Sequence, residues 1–184
     1  MTIPNLLTLS RILLTPLLIC FLLQRKLNHA LIVFFIAGMT DGLDGLTARL
    51  FQQKSRLGSI LDPLADKFLL VSSLLILGHI GLIPLWLVVI AVARDIVIVA
   101  GTTLLLALRY HVEMCPTVTG KLTTLMQLIA VLLALSSSMI PLAPWAYLLT
   151  FGVAAVFCLA SGAQYVIRGI LLVQSQLTRV NPKP

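Results

Sequence analysis

Four of the six acidic residues in this chain lie within one short stretch, residues 41–66, and strongly apolar sequence flanks that stretch on both sides. The four are Asp41, Asp44, Asp62 and Asp66. An ionised side chain at the centre of a bilayer costs about 2.5–3.5 kcal/mol on insertion scales. If the flanks lie in a membrane, positive charge is therefore expected close to these carboxylates.

Composition places the chain among polytopic membrane proteins. The 184 residues are 59% hydrophobic and only 10% charged, whereas soluble domains carry about 25% charged residues. At about 20 residues for each span, the length predicts an all-α protein with about six transmembrane helices. We expect a single membrane domain over residues 1–184, with a frayed polar tail from about residue 175. The net charge of +7 does not indicate nucleic-acid binding, because the basic residues are spread along the chain and are not interleaved with aromatic residues.

Apolar runs and turn residues locate the six helices. The first is expected over about 5–23, the second from about 30 through the first two aspartates, and the third from about 56. The fourth is expected over 85–108, the fifth from about 121, and the sixth over 146–173. The distribution of basic residues orients them, since cytoplasmic loops are enriched in Lys and Arg. With the FQQKS loop in the cytoplasm, ten of the 13 basic residues lie toward that side.

This orientation predicts a multi-pass protein of the cell (inner or plasma) membrane with both termini in the cytoplasm. The acidic stretch then belongs to a polar active-site cavity at the cytoplasmic side.

Helical periodicity brings the acidic residues together on two faces. One face of the second helix carries Asp41, Asp44, Gly45, Ala48 and Arg49, and one face of the third carries Gly58, Asp62 and Asp66. The short loop predicts that these helices are antiparallel neighbours, so the four carboxylates would converge.

Such an all-oxygen set suits Mg²⁺ first and Mn²⁺ or Ca²⁺ next. Mg²⁺ usually completes its shell with water and phosphate oxygens, so a phosphate-bearing substrate is expected, and two ions could clamp a diphosphate. Small residues on these faces leave room for a ligand, although tight helix packing would also explain them.

The same residues carry a family resemblance. The pattern D-x2-D-G-x2-A-R-x8-G-x3-D-x3-D, from Asp41 to Asp66, resembles the signature of the CDP-alcohol phosphotransferases in every fixed position. The segments IPNLLTLSRILLTP, ARDIVIV and GKLTT are similar to those of phosphatidylglycerophosphate synthases and CDP-diacylglycerol-dependent cardiolipin synthases. The resemblance extends over nearly the whole chain.

This resemblance implies a role for each signature residue. It implies that Asp41, Asp44 and Asp62 bind a pair of metal ions, Mg²⁺ with Mn²⁺ as a substitute, and that Asp66 contributes to the metals but acts chiefly as general base. It implies a CDP pocket lined by Asp41, Asp44, Gly45, Ala48, Arg49, Gly58 and Asp62. The implied reaction is attack of an alcohol hydroxyl on the lipid-linked phosphorus of CDP-diacylglycerol with release of CMP, in a homodimeric enzyme.

Two basic residues outside the signature are candidates for the acceptor site. Arg94 lies in the middle of a span and Lys121 at a cytoplasmic helix end, and both could bind an acceptor phosphate. Alternatively, Arg94 is simply neutralised by an acidic partner, although neighbouring Asp95 should not face it on a helix. We expect glycerol-3-phosphate as acceptor, giving phosphatidylglycerophosphate. The alternative is phosphatidylglycerol, giving cardiolipin, and the basic residues do not separate these two.

Two further questions stay open from the sequence. Asn5, Thr8 and Arg11 form a polar stripe on the first helix, which is either an interfacial face or the border of a polar site. Acidic residues inside the membrane would, taken alone, also permit a non-enzymatic divalent-cation carrier. A membrane scaffold without chemistry is a weaker alternative, because it would not need these acidic residues.

Overall fold

The computed structural model describes residues 3–51, 58–108, 117–140 and 142–180. These residues form six α-helices and contain no strand, which confirms the all-α prediction for the described part of the chain. The helices are α1 (Ile3–Leu23), α2 (Leu27–Phe51), α3 (Gly58–His79), α4 (Leu85–Ala107), α5 (Val118–Ser136) and α6 (Pro144–Val180).

Short turns separate successive helices at one end of the bundle. Between α1 and α2, Arg25 takes a left-handed conformation with φ 56°, and the Lys26 amide donates to the Phe21 carbonyl at 2.9 Å. After α3, Gly81 has φ 83°, which suits glycine because it has no Cβ. This geometry lets the Leu82 amide donate to the Leu77 carbonyl at 2.9 Å, closing the end of α3.

The core of the bundle lies at this same end. Every helix contributes a buried side chain to one apolar cluster, including Leu22, Phe34, Leu77, Leu87, Leu135 and Phe151. α1 packs against α2 and α3, α6 packs against α4 and α5, and α5 also contacts α2 and α3. α3 completes the bundle by packing against α4. The polar side chains described below lie farther along the same helices, toward the opposite end.

The expected direct packing of α2 on α3 is not what the described residues show. The two helices are absent from the pairs in extensive contact, and α1 packs against both of them instead. A short connection places the ends of two helices close together, but it does not decide which axes touch along their length. Here the buried Leu18 and Leu22 of α1 belong to the apolar core that joins the bundle.

Within the described residues, three helices are long and apolar enough to span a membrane. They include Leu85–Leu105 of α4, Val118–Ser136 of α5 and Pro144–Gln174 of α6. Shorter apolar stretches cover Ser10–Leu23 and Leu27–Thr40, so the expected count of six spans stays a prediction. The outer surface is also apolar, and Leu13, Val89 and Trp145 are each more than 60% exposed. Such a surface suits contact with lipid, in keeping with a membrane protein.

The C-terminal tail differs from the sequence-based expectation. α6 continues to Val180 rather than ending near residue 173. The segment QSQLTR contains Gln, Leu and Arg, which are good helix formers even without an apolar face to bury. Intrahelical hydrogen bonds can therefore extend the helix beyond its apolar part.

The packing of α3 on α4 gives a stability prediction. A Cβ added at Gly78 would lie 2.7 Å from Cγ2 of Val88, a buried side chain whose β-branch leaves it little freedom to move. Gly78→Ala should therefore destabilise the bundle by about 1–3 kcal/mol. Thermal unfolding in detergent micelles, followed by circular dichroism, measures the change.

Gly152→Ala is the matched control, because a Cβ at Gly152 of α6 meets no atom within 4 Å. Its stability should be unchanged or higher, since alanine favours a helix over glycine by about 1 kcal/mol. Equal melting temperatures for the two variants would contradict tight α3–α4 packing at Gly78.

Candidate functional site

An ion pair between α1 and α3 holds one of the signature aspartates. Nη1 of Arg11 donates to Oδ1 of Asp66. The Arg11 side chain is 1% exposed, whereas that of Asp66 is 43% exposed. The cation is thus enclosed by the bundle, and the carboxylate is partly exposed. This is the positive charge that the acidic sequence requires near Asp66.

The pairing also decides the role of the polar stripe on α1, as far as Arg11 is concerned. A buried arginine in contact with Asp66 borders a polar site, so it does not belong to a merely interfacial face. The next turn carries Thr15, whose hydroxyl donates to the Arg11 carbonyl at 2.8 Å. The side chains of Asn5 and Thr8 lie outside the described part of the structure.

A second charged cluster joins α3, α4 and α6. Nη1 of Arg94 donates to Oδ1 of Asp95 at 2.8 Å, and its Nη2 donates to the Ser161 hydroxyl at 2.8 Å. Nζ of Lys67 donates to the same Asp95 oxygen. Lys67 directly follows Asp66 in α3, so consecutive residues of one helix face two different partners. α3 therefore connects the two charged clusters.

The prediction that Arg94 and Asp95 cannot meet is wrong. The rule that successive helical residues diverge describes the directions of their Cβ atoms. The long arginine side chain lets its guanidinium turn back along the helix surface to the neighbouring carboxylate. Neutralisation by an acidic partner is thus part of what Arg94 does in this fold.

The first turn of α5 lies against the Arg94 guanidinium. Thr117 caps this helix, and its hydroxyl accepts from the Gly120 amide at 3.1 Å. A Cβ added at Gly120 would lie only 3.4 Å from Nη2 of Arg94. The Arg94 guanidinium also lies 6.0 Å from the centre of the Tyr165 ring, a cation–π distance. Close approach of these helices therefore depends on glycine in the first turn of α5.

The arrangement has the features of an anion site, because a helix N-terminus attracts negative charge and Arg94 supplies a cation. Lys121 follows Gly120 in the same turn and is exposed. Arg94 is 8% exposed, and its Nε has no hydrogen-bond partner among the described residues. The two predicted acceptor-site residues thus lie near the first turn of α5. Arg94 is buried there, and Lys121 is exposed.

Most signature side chains lie outside the described part of the structure. This applies to Asp41, Asp44, Gly45, Ala48, Arg49, Gly58 and Asp62. Their backbone is helical, the first five in α2 and the last two in α3. The convergence of the four carboxylates stays a prediction. Among the residues whose side chains are described, no group of three or more acidic, His or Cys residues could hold a metal ion.

Three contributors to the charged clusters were missed from sequence: Lys67, Ser161 and the bridging role of Asp95. A signal was present for each of them, since a charged or hydroxyl side chain inside an apolar span needs a polar partner. The sequence indicates that such a side chain needs a polar partner, but it does not indicate which residue that partner is. The partners of Asp95, for example, lie on two different helices.

Comparison with known proteins agrees with this geometry. The profile of the CDP-alcohol phosphatidyltransferase family matches residues 1–172. A rat (Rattus norvegicus) protein named cardiolipin synthase (CMP-forming) is 37% identical over 178 residues, which cover 88% of this chain and 59% of the rat protein. The human (Homo sapiens) protein of the same name is 45% identical over 101 residues, which cover 54% of this chain and 34% of the human protein.

A bacterial relative is closer in length. The CDP-diacylglycerol–glycerol-3-phosphate 3-phosphatidyltransferase of Aquifex aeolicus is 38% identical over 128 residues, which cover 68% of this chain and 70% of that protein. The chain spans well under two thirds of the rat and human proteins, but more than two thirds of the bacterial one. Because the family profile covers nearly the entire sequence and this relative agrees with it, the chain belongs to the CDP-alcohol phosphatidyltransferase family.

Proposed function

We propose that this protein transfers a phosphatidyl group from CDP-diacylglycerol to the hydroxyl of a phosphate-bearing alcohol, releasing CMP. The observation that carries the proposal is the state of Asp66, an exposed carboxylate in a full family signature, held in place by the enclosed Arg11. The hydrogen bond from the Arg11 guanidinium fixes the position of this carboxylate relative to α1.

In the proposed reaction, Asp66 accepts the proton of the acceptor hydroxyl. The hydroxyl oxygen then forms a bond to the lipid-linked phosphorus, and the bond from that phosphorus to CMP breaks. Arg11 donates to Oδ1 of Asp66 and so orients the carboxylate.

The family generally depends on divalent metal ions. The signature offers only carboxylate oxygens, a donor set that fits hard divalent ions such as Mg²⁺, with Mn²⁺ as a substitute. We propose that Asp41, Asp44 and Asp62, with a contribution from Asp66, hold two ions, which when bound neutralise the diphosphate and stabilise leaving CMP. Gly45, Ala48, Arg49 and Gly58 would complete the CDP pocket.

The acceptor phosphate is proposed to bind beside Arg94, with Lys121 guiding it from the exposed side of α5. Two acceptors fit this site. Glycerol-3-phosphate is supported by the name of the bacterial relative, and a phospholipid acceptor, phosphatidylglycerol, by the rat and human relatives named cardiolipin synthase. Both carry a phosphate and a free hydroxyl.

The remaining proposals concern the protein as a whole. The family match over residues 1–172 supports one domain over residues 1–184. We place the site and both termini on the cytoplasmic side, in a homodimer in the cell membrane, and the positive-inside bias supports this orientation.

One assay tests the function. Purified protein is incubated with Mg²⁺, labelled CDP-diacylglycerol and one acceptor at a time: glycerol-3-phosphate, phosphatidylglycerol, inositol phosphate or serine. We expect CMP release with glycerol-3-phosphate or phosphatidylglycerol, the two acceptors that the names of the relatives support, and none with serine, which carries no phosphate. Divalent-cation flux into proteoliposomes without CMP release from any acceptor would instead support the carrier alternative.

The base assignment predicts the effect of Asp66→Asn. The amide cannot accept the hydroxyl proton, so kcat should fall by about 10²–10⁴-fold, the usual contribution of a general base. Binding of CDP-diacylglycerol should be largely retained, since the substitution removes only one charge at the edge of the metal site. Turnover and equilibrium donor binding are measured on the same preparation, and wild-type turnover would remove the assignment.

The metal-site assignment predicts that Asp41→Ala or Asp62→Ala loses both the response to Mg²⁺ and binding of the donor. Calorimetric titration of CDP-diacylglycerol micelles, with and without Mg²⁺, gives a readout independent of turnover. Glu113→Ala, which removes an acidic residue outside the signature, is the matched control and should bind normally. Mg²⁺-dependent donor binding by both aspartate variants would refute this metal site.

A further inference from the structure

We propose that Asp95 is a positioning residue for the acceptor site: it fixes the Arg94 guanidinium in the orientation that binds the acceptor phosphate. This inference rests on the proposed function. Asp95 itself is separated from the substrate by Arg94, and it acts through that side chain.

Charge balance is the first argument. The three charged residues of the cluster are Lys67, Arg94 and Asp95, and a single carboxylate oxygen accepts from both cations. Two positive charges and one negative charge leave a net charge of +1. Within the described residues, the cluster is thus neutralised only in part and can still attract an anion. A fully neutralised arginine would have less affinity for a phosphate.

Geometry is the second argument. The two terminal nitrogens of Arg94 each have one anchor, Asp95 on Nη1 and Ser161 on Nη2, both at 2.8 Å. Two anchors on different nitrogens fix the plane of a guanidinium, which is rigid and presents five N–H groups. The remaining donors include the buried Nε, which has no partner among the described residues. A phosphate needs donors in a fixed plane for bidentate binding.

The connection to α3 is the third argument. Lys67 ties Asp95 to α3, and it directly follows the candidate base Asp66 in that helix. Adjacent residues of α3 therefore contact Asp95 and Arg11, the partners of the proposed acceptor site and of the candidate base. Lys67 is 40% exposed and Asp95 is 12% exposed, so the enclosed Asp95–Arg94 contact should dominate.

The experiment measures the KM of acceptor and donor separately. The probes are glycerol-3-phosphate in solution and phosphatidylglycerol in mixed micelles, with CDP-diacylglycerol as donor. Asp95→Asn keeps the size of the side chain and removes its charge. Its acceptor KM should rise about tenfold, the change expected for loss of one charge-assisted hydrogen bond. Its donor KM should stay within about twofold, because the proposed CDP pocket is formed by residues of α2 and α3 and does not include Arg94.

A double-variant cycle separates positioning from a general loss of stability. Arg94→Gln removes the group through which Asp95 acts, so Asp95→Asn should add little to the acceptor KM of the Arg94→Gln variant. Asp95→Glu keeps the charge and should recover part of the affinity. Gln127→Leu is the matched control: it removes a buried hydrogen bond to Cys158 between α5 and α6, and should leave the acceptor KM unchanged.

The outcomes are distinct. No CMP release by the wild-type protein would refute the proposed function. An active wild-type protein whose Asp95→Asn variant has a lower melting temperature but an unchanged acceptor KM would overturn this inference, as would fully additive effects in the cycle. If Asp95→Asn does not fold, Ser161→Ala tests the same positioning by removing the other anchor. An unchanged acceptor KM in Ser161→Ala would then overturn the inference.

Discussion

A charge enclosed by apolar helices must be matched by another polar group, and this requirement determines how the helices of this bundle meet. Arg11 is almost completely buried and is paired with Asp66, so α1 and α3 are joined by charge as well as by packing. Arg94 is matched by Asp95 on its own helix and by Ser161 on α6. The guanidinium groups of Arg11 and Arg94 are both buried, so a displaced one would lose a hydrogen bond that water cannot readily replace.

The separation of the bundle into an apolar end and a polar end follows from the same requirement. One end of the bundle is an apolar core to which all six helices contribute. The charged groups lie beyond that core, where side chains from α1, α3, α4 and α6 pair with one another. The packed end can hold the helices in register, and the polar part is then free to carry ligand-binding groups on a rigid support.

Much of this could be predicted from sequence, for physical reasons that differ between residues. Apolar runs broken by turn residues specify helices, so α1, α4 and α5 begin within a few residues of their predicted starts. The need of Asp66 for a cation also follows from its surroundings. The identity of Arg11 as that cation does not, because the pair lies 55 positions apart in the chain. The order of helix contacts also could not be predicted, and among the described residues α1 packs extensively against α3.

The error over Arg94 and Asp95 arose from ideal helix geometry, which separates the Cβ atoms of successive residues but does not limit the reach of a long side chain. The direct packing of α2 on α3 was inferred from the same geometry. It stays a prediction for residues 41–51 and 58–63, whose side chains lie outside the described part of the structure. The convergence of the aspartates on α2 and α3 depends on the same kind of inference, and it rests on the family signature rather than on described side-chain contacts.

The succession of Asp66 and Lys67 on α3 has a mechanical consequence. Neighbouring residues on a helix point about 100° apart, and here one is bound to α1 and the other to α4. A turn of α3 about its own axis would break both contacts at once, so the helix is locked against rotation from two sides. Any motion that opens the site must therefore carry α3 along as a rigid body with α1 or α4, or occur in the helices that do not hold it.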